Sequence, residues 1–168
     1  MQIPNSKKSD NSKTLSEKEA IRALTALCSK KELCVSEIAR KIRIWEFDNS
    51  TSLKIIEFLL KNNFVNEQRY ANAFVNDKFK FNKWGKYKIE NSLKAKFIPE
   101  TIIDNALQLI PKEDSNKQIF DQLFKKLKSI KSTDKYQIRS KLYRFGISRG
   151  FDPDAIQISI DKIVEKSE

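Results

Sequence analysis

The chain is 168 residues long with only 3 glycines and 4 prolines, and so few turn formers argue against many short strands and favour helices. Lys and Arg number 33 against 22 Asp and Glu, a formal net charge of +11 that favours phosphates or an anionic assembly as partner. Histidine is absent, which removes the Ser-His-Asp and Cys-His pairs and imidazole metal sites, and three glycines cannot build the usual phosphate-cradling loops.

After a polar tail over residues 1–15, Ser16 and Glu19 stand at the spacing of a capping box, so a helix starts there and carries Ile21, Leu24, Leu27 and Cys28 at helical period. Ser36 is read as the cap of a second helix with Ile38 and Ile42, and a third runs through Leu53, Ile56, Leu59 and Leu60. Asn63 suits the left-handed residue that closes the third helix, with Phe64 folding back on Leu59. Asn66 then caps a helix with Tyr70, Ala73, Phe74 and Phe81, a second follows Trp84 and Gly85 with Ile89 and Leu93, and Pro99 opens a third with Ile102, Ile103, Ala106, Leu107 and Ile110. Beyond Pro111 come Ile119, Phe120, Leu123, Phe124, Leu127 and Ile130, then Ile138, Leu142 and Phe145, then Ile156, Ile160, Ile163 and Val164. Gly150 is read as the left-handed end of the middle helix with Phe151 packing on Phe145, and Asp152-Pro153 as a cap followed by proline in the first turn.

The three blocks align. Ile38, Ile89 and Ile138 mark one point of the second helices at intervals of 51 and 49 residues, with Leu24, Phe74 and Leu123 lying 14, 15 and 15 residues before them and Ile42, Leu93 and Leu142 four after. This predicts an all-α chain of three tandem three-helix repeats over residues 16–64, 65–111 and 112–168, each too small to bury its own faces well and therefore stacked on its neighbours.

Charge follows the repeat. The third helices are apolar or acidic, with net charge +1 over residues 50–62 and −2 over both 99–110 and 152–164. The second helices rise from +1 over 36–46 to +3 over 84–96 and +5 over 135–149, so a basic stripe is expected along them, extended by Lys125, Lys126, Lys128 and Lys131. Third helices of this kind cannot act as recognition helices, because two of them would carry negative charge into the phosphate field of the major groove. Trp84 is expected as a core or staple residue. Asp152 and Asp154 are explained by capping and the helix dipole, and Cys28 and Cys34 fit neither a zinc site nor a disulfide framework, so neither metal nor cofactor is expected. No stretch reaches the length of a membrane span and the N-terminus lacks a secretory apolar region, so the protein is expected to stay in the cytoplasm. No residues for turnover are found.

Three stretches carry a resemblance: Asn63-Phe64-Val65-Asn66-Glu67-Gln68-Arg69-Tyr70-Ala71 where the first two blocks join, Gly85 with Ile89 and Leu93, and Lys141-Leu142-Tyr143-Arg144-Phe145 running to Arg149-Gly150-Phe151. In order and spacing they resemble the RecX family of bacterial recombination regulators, over nearly all of residues 16–166. Asn63 and Phe97 stand where that family usually has glycine, and Pro99 where it usually has an acidic cap. The resemblance implies an elongated, curved, non-enzymatic protein of the recombination and SOS-response machinery, which binds the RecA filament on single-stranded DNA and inhibits or modulates it. The partners it implies are RecA on single-stranded DNA, with weak direct contact to DNA and the chain acting as a monomer. The expected filament-facing residues are Arg40, Lys41, Arg43, Lys86, Lys88, Lys94, Lys96, Arg139, Lys141, Arg144 and Arg149. Arg69, singled out by the family motif, is either one of these or a brace between the first two blocks. The alternatives are a general basic nucleic-acid-binding helical protein and a helix-turn-helix-like transcription regulator.

Overall fold

A computed structural model describes residues 15–165, so all but the last residue of the expected polar tail lie outside the described residues. Among the described residues the chain forms helices α1 (Glu17–Cys28), α2 (Val35–Ile44), α3 (Asn49–Lys61), α4 (Glu67–Lys80), α5 (Lys86–Lys94), α6 (Glu100–Leu107), α7 (Lys112–Leu127), α8 (Lys135–Arg149) and α9 (Pro153–Glu165), with no strand.

Helix ends follow local chemistry. The Ser16 hydroxyl accepts from the Glu19 N–H at 3.3 Å while the Ser16 N–H donates to the Glu19 carboxylate at 2.9 Å, which closes the capping box of α1. Asn66 caps α4 by accepting from the Arg69 N–H at 2.9 Å, and Asp152 caps α9 by accepting from the Ala155 N–H at 3.0 Å. Two caps differ from the sequence reading. The residue before α2 is Cys34, not Ser36, and it makes no side-chain cap; the Ser36 hydroxyl lies 3.3 Å from the Cys34 sulfur instead. Pro99 is the cap of α6 rather than its first helical residue, since its ψ of 141° is extended. Asn63 has φ of 56° as expected, and the Phe64 N–H donates to the Leu59 carbonyl at 2.9 Å, but the Phe64 ring stacks on Phe58 with centroids 6.4 Å apart.

Packing gathers the helices into three modules, with contacts of α1 and α2 on α3, of α4, α5 and α6 on one another, and of α7, α8 and α9 on one another. Each module has its own apolar cluster. The first centres on Leu24, Ile38, Ile42, Ile55 and Leu59, the second on Ala71, Ile89, Leu93, Ile103 and Ala106, and the third on Ile119, Leu123, Leu142, Ile156 and Ile160. Most of each face is buried within its own module, and the first two modules also exchange core residues: Cys34 joins the second cluster and Val65, at the start of the second repeat, joins the first. In α3 the core residues are Ile55 and Leu59, whereas Leu53 and Leu60 are exposed. The apolar face of that helix is wider than the part the core covers, with Ser50, Lys54, Glu57 and Lys61 on the remaining face, so helical period marks more residues than are buried.

Candidate anion-facing surface

Two depressions separate the second helices, one between α2 and the segment that follows α5, the other between α5 and the end of α8. Val35, Ala39, Arg40 and Arg43 of the first module face Glu67, Lys96 and Phe97 of the second across a groove of about 440 Å³. Asn91, Ser92 and Ala95 on and beside α5 face Ile147 and Ser148 of α8 across a cleft of about 650 Å³. The α5 segment therefore stands between α2 and α8.

The joint between the second and third modules is made by backbone. The Gly85 N–H donates to the Arg149 carbonyl at 2.8 Å, and the Tyr87 N–H donates to the Gly150 carbonyl at 3.1 Å. A Cβ on Gly85 would sit 2.0 Å from the Gly150 oxygen, so glycine is required by the close approach itself. Gly150 has φ of 77° and ends α8 as the sequence suggested, with the Phe151 N–H on the Gly146 carbonyl at 3.2 Å and the Phe151 side chain buried in a cluster that includes Phe145. The Arg149 guanidinium donates to the carbonyls of Asn82 and Lys83, and Gln118 donates to the Trp84 carbonyl at 3.3 Å. Trp84 itself packs against the second cluster, with Lys78 and Lys88 over its ring at 5.7 and 4.8 Å.

The joint between the first and second modules is made by charged side chains. Lys96 binds the Glu37 carboxylate at 2.6 Å, and the Tyr70 hydroxyl donates to the same oxygen at 3.2 Å. Burial works against ionising Glu37, but Lys96 and Tyr70 outweigh it and hold the carboxyl below the usual range. The Tyr70 hydroxyl is pushed up by burial and by the Glu37 charge. Arg69 binds Glu32 at 2.6 Å and also donates to the Asn63 and Phe64 carbonyls. Glu67 accepts from the Val35 N–H at 2.9 Å; burial pushes this carboxyl up, and its second oxygen is buried without a partner.

These contacts sort the cations singled out from the sequence. Arg69, Lys96 and Arg149 hold the joints, and Lys88 donates to the Ser148 carbonyl at 3.2 Å. Lys94 is paired with Glu90 at 2.7 Å and Glu100 at 3.4 Å, which push its ammonium pKa up, and Arg139 is paired with Asp161. Arg40, Lys41, Arg43, Lys86, Lys141 and Arg144 have no carboxylate within ion-pairing distance among the described residues. Lys86 nevertheless lies in an acidic neighbourhood beside Glu90 and Asp152. Arg40, Arg43, Lys141 and Arg144 are exposed, at the α2 and α8 flanks of the row. Charge counting had not revealed Phe97, which is 85% exposed with φ of 62° beside Arg40, Arg43 and Lys96. Nor had it revealed Glu32, Glu37 and Glu67 as the acidic half of the first joint.

The fold and this surface define a class: all-helical proteins of tandem three-helix modules whose outer second helices carry unpaired cations. Sequence models of the RecX second and third three-helix domains match residues 66–107 and 113–158. The chain belongs to the RecX family of regulatory proteins. It is 32% identical over 163 residues to the regulatory protein RecX of Clostridium botulinum (strain Eklund 17B / Type B), covering 94% of this chain and 76% of that protein. It is 38% identical over 130 residues to the regulatory protein RecX of Clostridium beijerinckii, covering 76% of this chain but only 60% of that protein's length. The fold is also that of a crystal structure of RecX from Lactobacillus salivarius, with a TM-score of 0.76, 22% identity, and coverage of 88% of this chain and 96% of that one. No helix among the described residues is long and apolar enough to cross a membrane.

Proposed function

We propose that this chain binds the RecA filament on single-stranded DNA and restrains its activity, acting by occupancy and not by catalysis. The observation that carries the reading is the row of second helices, α2, α5 and α8, with Arg40, Arg43, Lys141 and Arg144 exposed and lacking carboxylate partners. Cations already neutralised within the fold add little to attraction for an anionic assembly, so these four dominate the field the row presents. Tandem modules joined in fixed register can contact more than one protomer of a polymer at once, and the gain from joint engagement exceeds that of either contact alone. Blocking filament growth or the movements of hydrolysis then needs no reacting group on the bound chain.

Titration into a RecA ATPase assay on single-stranded DNA tests this. Half-inhibition by a variant carrying K141E and R144E should require about tenfold more protein, as expected when charges on a contact surface are reversed. Helicity should be unchanged because neither side chain holds a joint. Arg149 is left intact in this variant, since reversing it would break the Asn82 and Lys83 contacts and confuse binding with folding. Equal inhibition by the folded variant removes the site assignment. No inhibition by the wild type, with tight and steeply salt-dependent binding to bare DNA, would favour a general nucleic-acid-binding protein.

A further inference from the structure

We propose that the cleft between α5 and α8 is a peptide-docking groove, built for an extended acidic segment bearing one apolar side chain. This rests on the functional reading above and deepens it: the groove meets the protein component of the filament, not its DNA.

The chemistry of the cleft selects that occupant. Its volume of about 650 Å³ lies within the roughly 300–1,000 Å³ of ordinary ligand sites, ample for one large side chain and its flanking backbone. Ala95, Ile147, Phe151 and Pro153 give it an apolar lining, and Ile147 remains 44% exposed. Asn91 stands on the α5 wall with a carboxamide that has no partner among the described residues. A carboxamide offers both a donor and an acceptor, which matches the N–H and C=O of an extended backbone. The walls are held by the Gly85 to Arg149 and Tyr87 to Gly150 backbone bonds, so an occupant does not have to order the site.

A nucleic-acid strand is a poor fit for the same cleft. Among the described residues the one cation on its wall, Lys88, keeps its charge but is turned onto the Ser148 carbonyl and the Trp84 ring, and the rest of the lining is neutral, so a phosphate strand would find a single cation there and not a basic track. The free cations lie outside, where Lys141 and Arg144 share the face of α8 that carries Ile147 and Ser148. Asp152, outside the cleft beside Tyr87, receives the Tyr87 hydroxyl at 3.3 Å and disfavours carboxylates there. The segment therefore lies with its apolar side chain in the cleft and its acidic residues toward Lys141 and Arg144.

The test uses RecA filaments assembled on poly-dT and a bare single-stranded oligonucleotide as separate probes. I147D and, independently, A95W should each weaken co-sedimentation with the filament about tenfold while leaving oligonucleotide binding within about twofold. Circular dichroism confirms folding, and a benzophenone placed at N91C should crosslink to an acidic RecA peptide. Unchanged filament binding by both folded variants overturns the groove, as does crosslinking to the DNA strand. If the cleft variants bind normally while K141E with R144E does not, the groove falls and the functional reading stands. If the wild type fails to co-sediment, the functional reading falls and the groove with it.

Discussion

Gly85→Ala tests the second joint most sharply. The added Cβ would lie 2.0, 2.3 and 2.5 Å from the Gly150 oxygen, the Gly150 carbon and the Phe151 nitrogen, all of them backbone atoms that no rotamer change can move. Relief requires the start of α5 to withdraw from the end of α8. Withdrawal stretches the Gly85 to Arg149 and Tyr87 to Gly150 hydrogen bonds, now 2.8 and 3.1 Å. At about 1 kcal/mol net for each bond, with overpacking strain of about 1–3 kcal/mol where the joint does not open fully, the expected loss is about 2–4 kcal/mol. Urea denaturation should show a lowered midpoint, and hydrogen exchange should show faster loss at the backbone amides of positions 85 and 87 than within α4 or α9. A variant with the wild-type midpoint and undiminished protection of both amides would refute the claim that glycine is required there by contact.

Two further outcomes concern the joints. Glu37 has a folded-state pKa below its ordinary value of 4.5, so its stabilisation is fully present above that value and disappears as pH falls through the folded one. Glu67 has the opposite sign, its proton being held more tightly in the folded chain, so acid relieves its burial penalty. In urea midpoints measured from about pH 7 to pH 3, the advantage of wild type over E37Q should shrink below about pH 4.5, and a constant difference would contradict the assignment. Arg149→Met keeps most of the side-chain volume but removes the donors to the Asn82 and Lys83 carbonyls. It should cost about 2 kcal/mol by the same denaturation assay, with faster amide exchange around residues 82–85; an unchanged midpoint would count against the bracing role.

Much of the fold was legible because its signals are local. The capping box at Ser16, the Asn66 and Asp152 caps and the left-handed Asn63 and Gly150 depend on a few neighbouring residues, and the sequence states them directly. The 51- and 49-residue spacing of Ile38, Ile89 and Ile138 reflects one packing solution used repeatedly, although Ile138 is less deeply buried than its two counterparts. In α3 the exposed Leu53 and Leu60 share a broad apolar face with the buried Ile55 and Leu59, and only packing against the other helices separates them. The net charge of a single helix carries no sign of pairing between helices, as of Lys94 with Glu100 of α6 and of Arg139 with Asp161 of α9, where acidic third helices meet basic neighbours. Lys96, Arg69 and Arg149 likewise find partners 59, 37 and 67 positions away, and a separation of that kind leaves no trace in local pattern.

The two joints respond to different solvents. Glu37 with Lys96 and Glu32 with Arg69 are held by attraction between partly buried opposite charges, which dissolved ions weaken, whereas at the other joint peptide groups meet one another and the Arg149 guanidinium meets only neutral carbonyls. Raising ionic strength therefore loosens the N-terminal module from the other two while those two still turn as a unit. The chain has a compliant shoulder and a stiff elbow, and brine reaches the shoulder first.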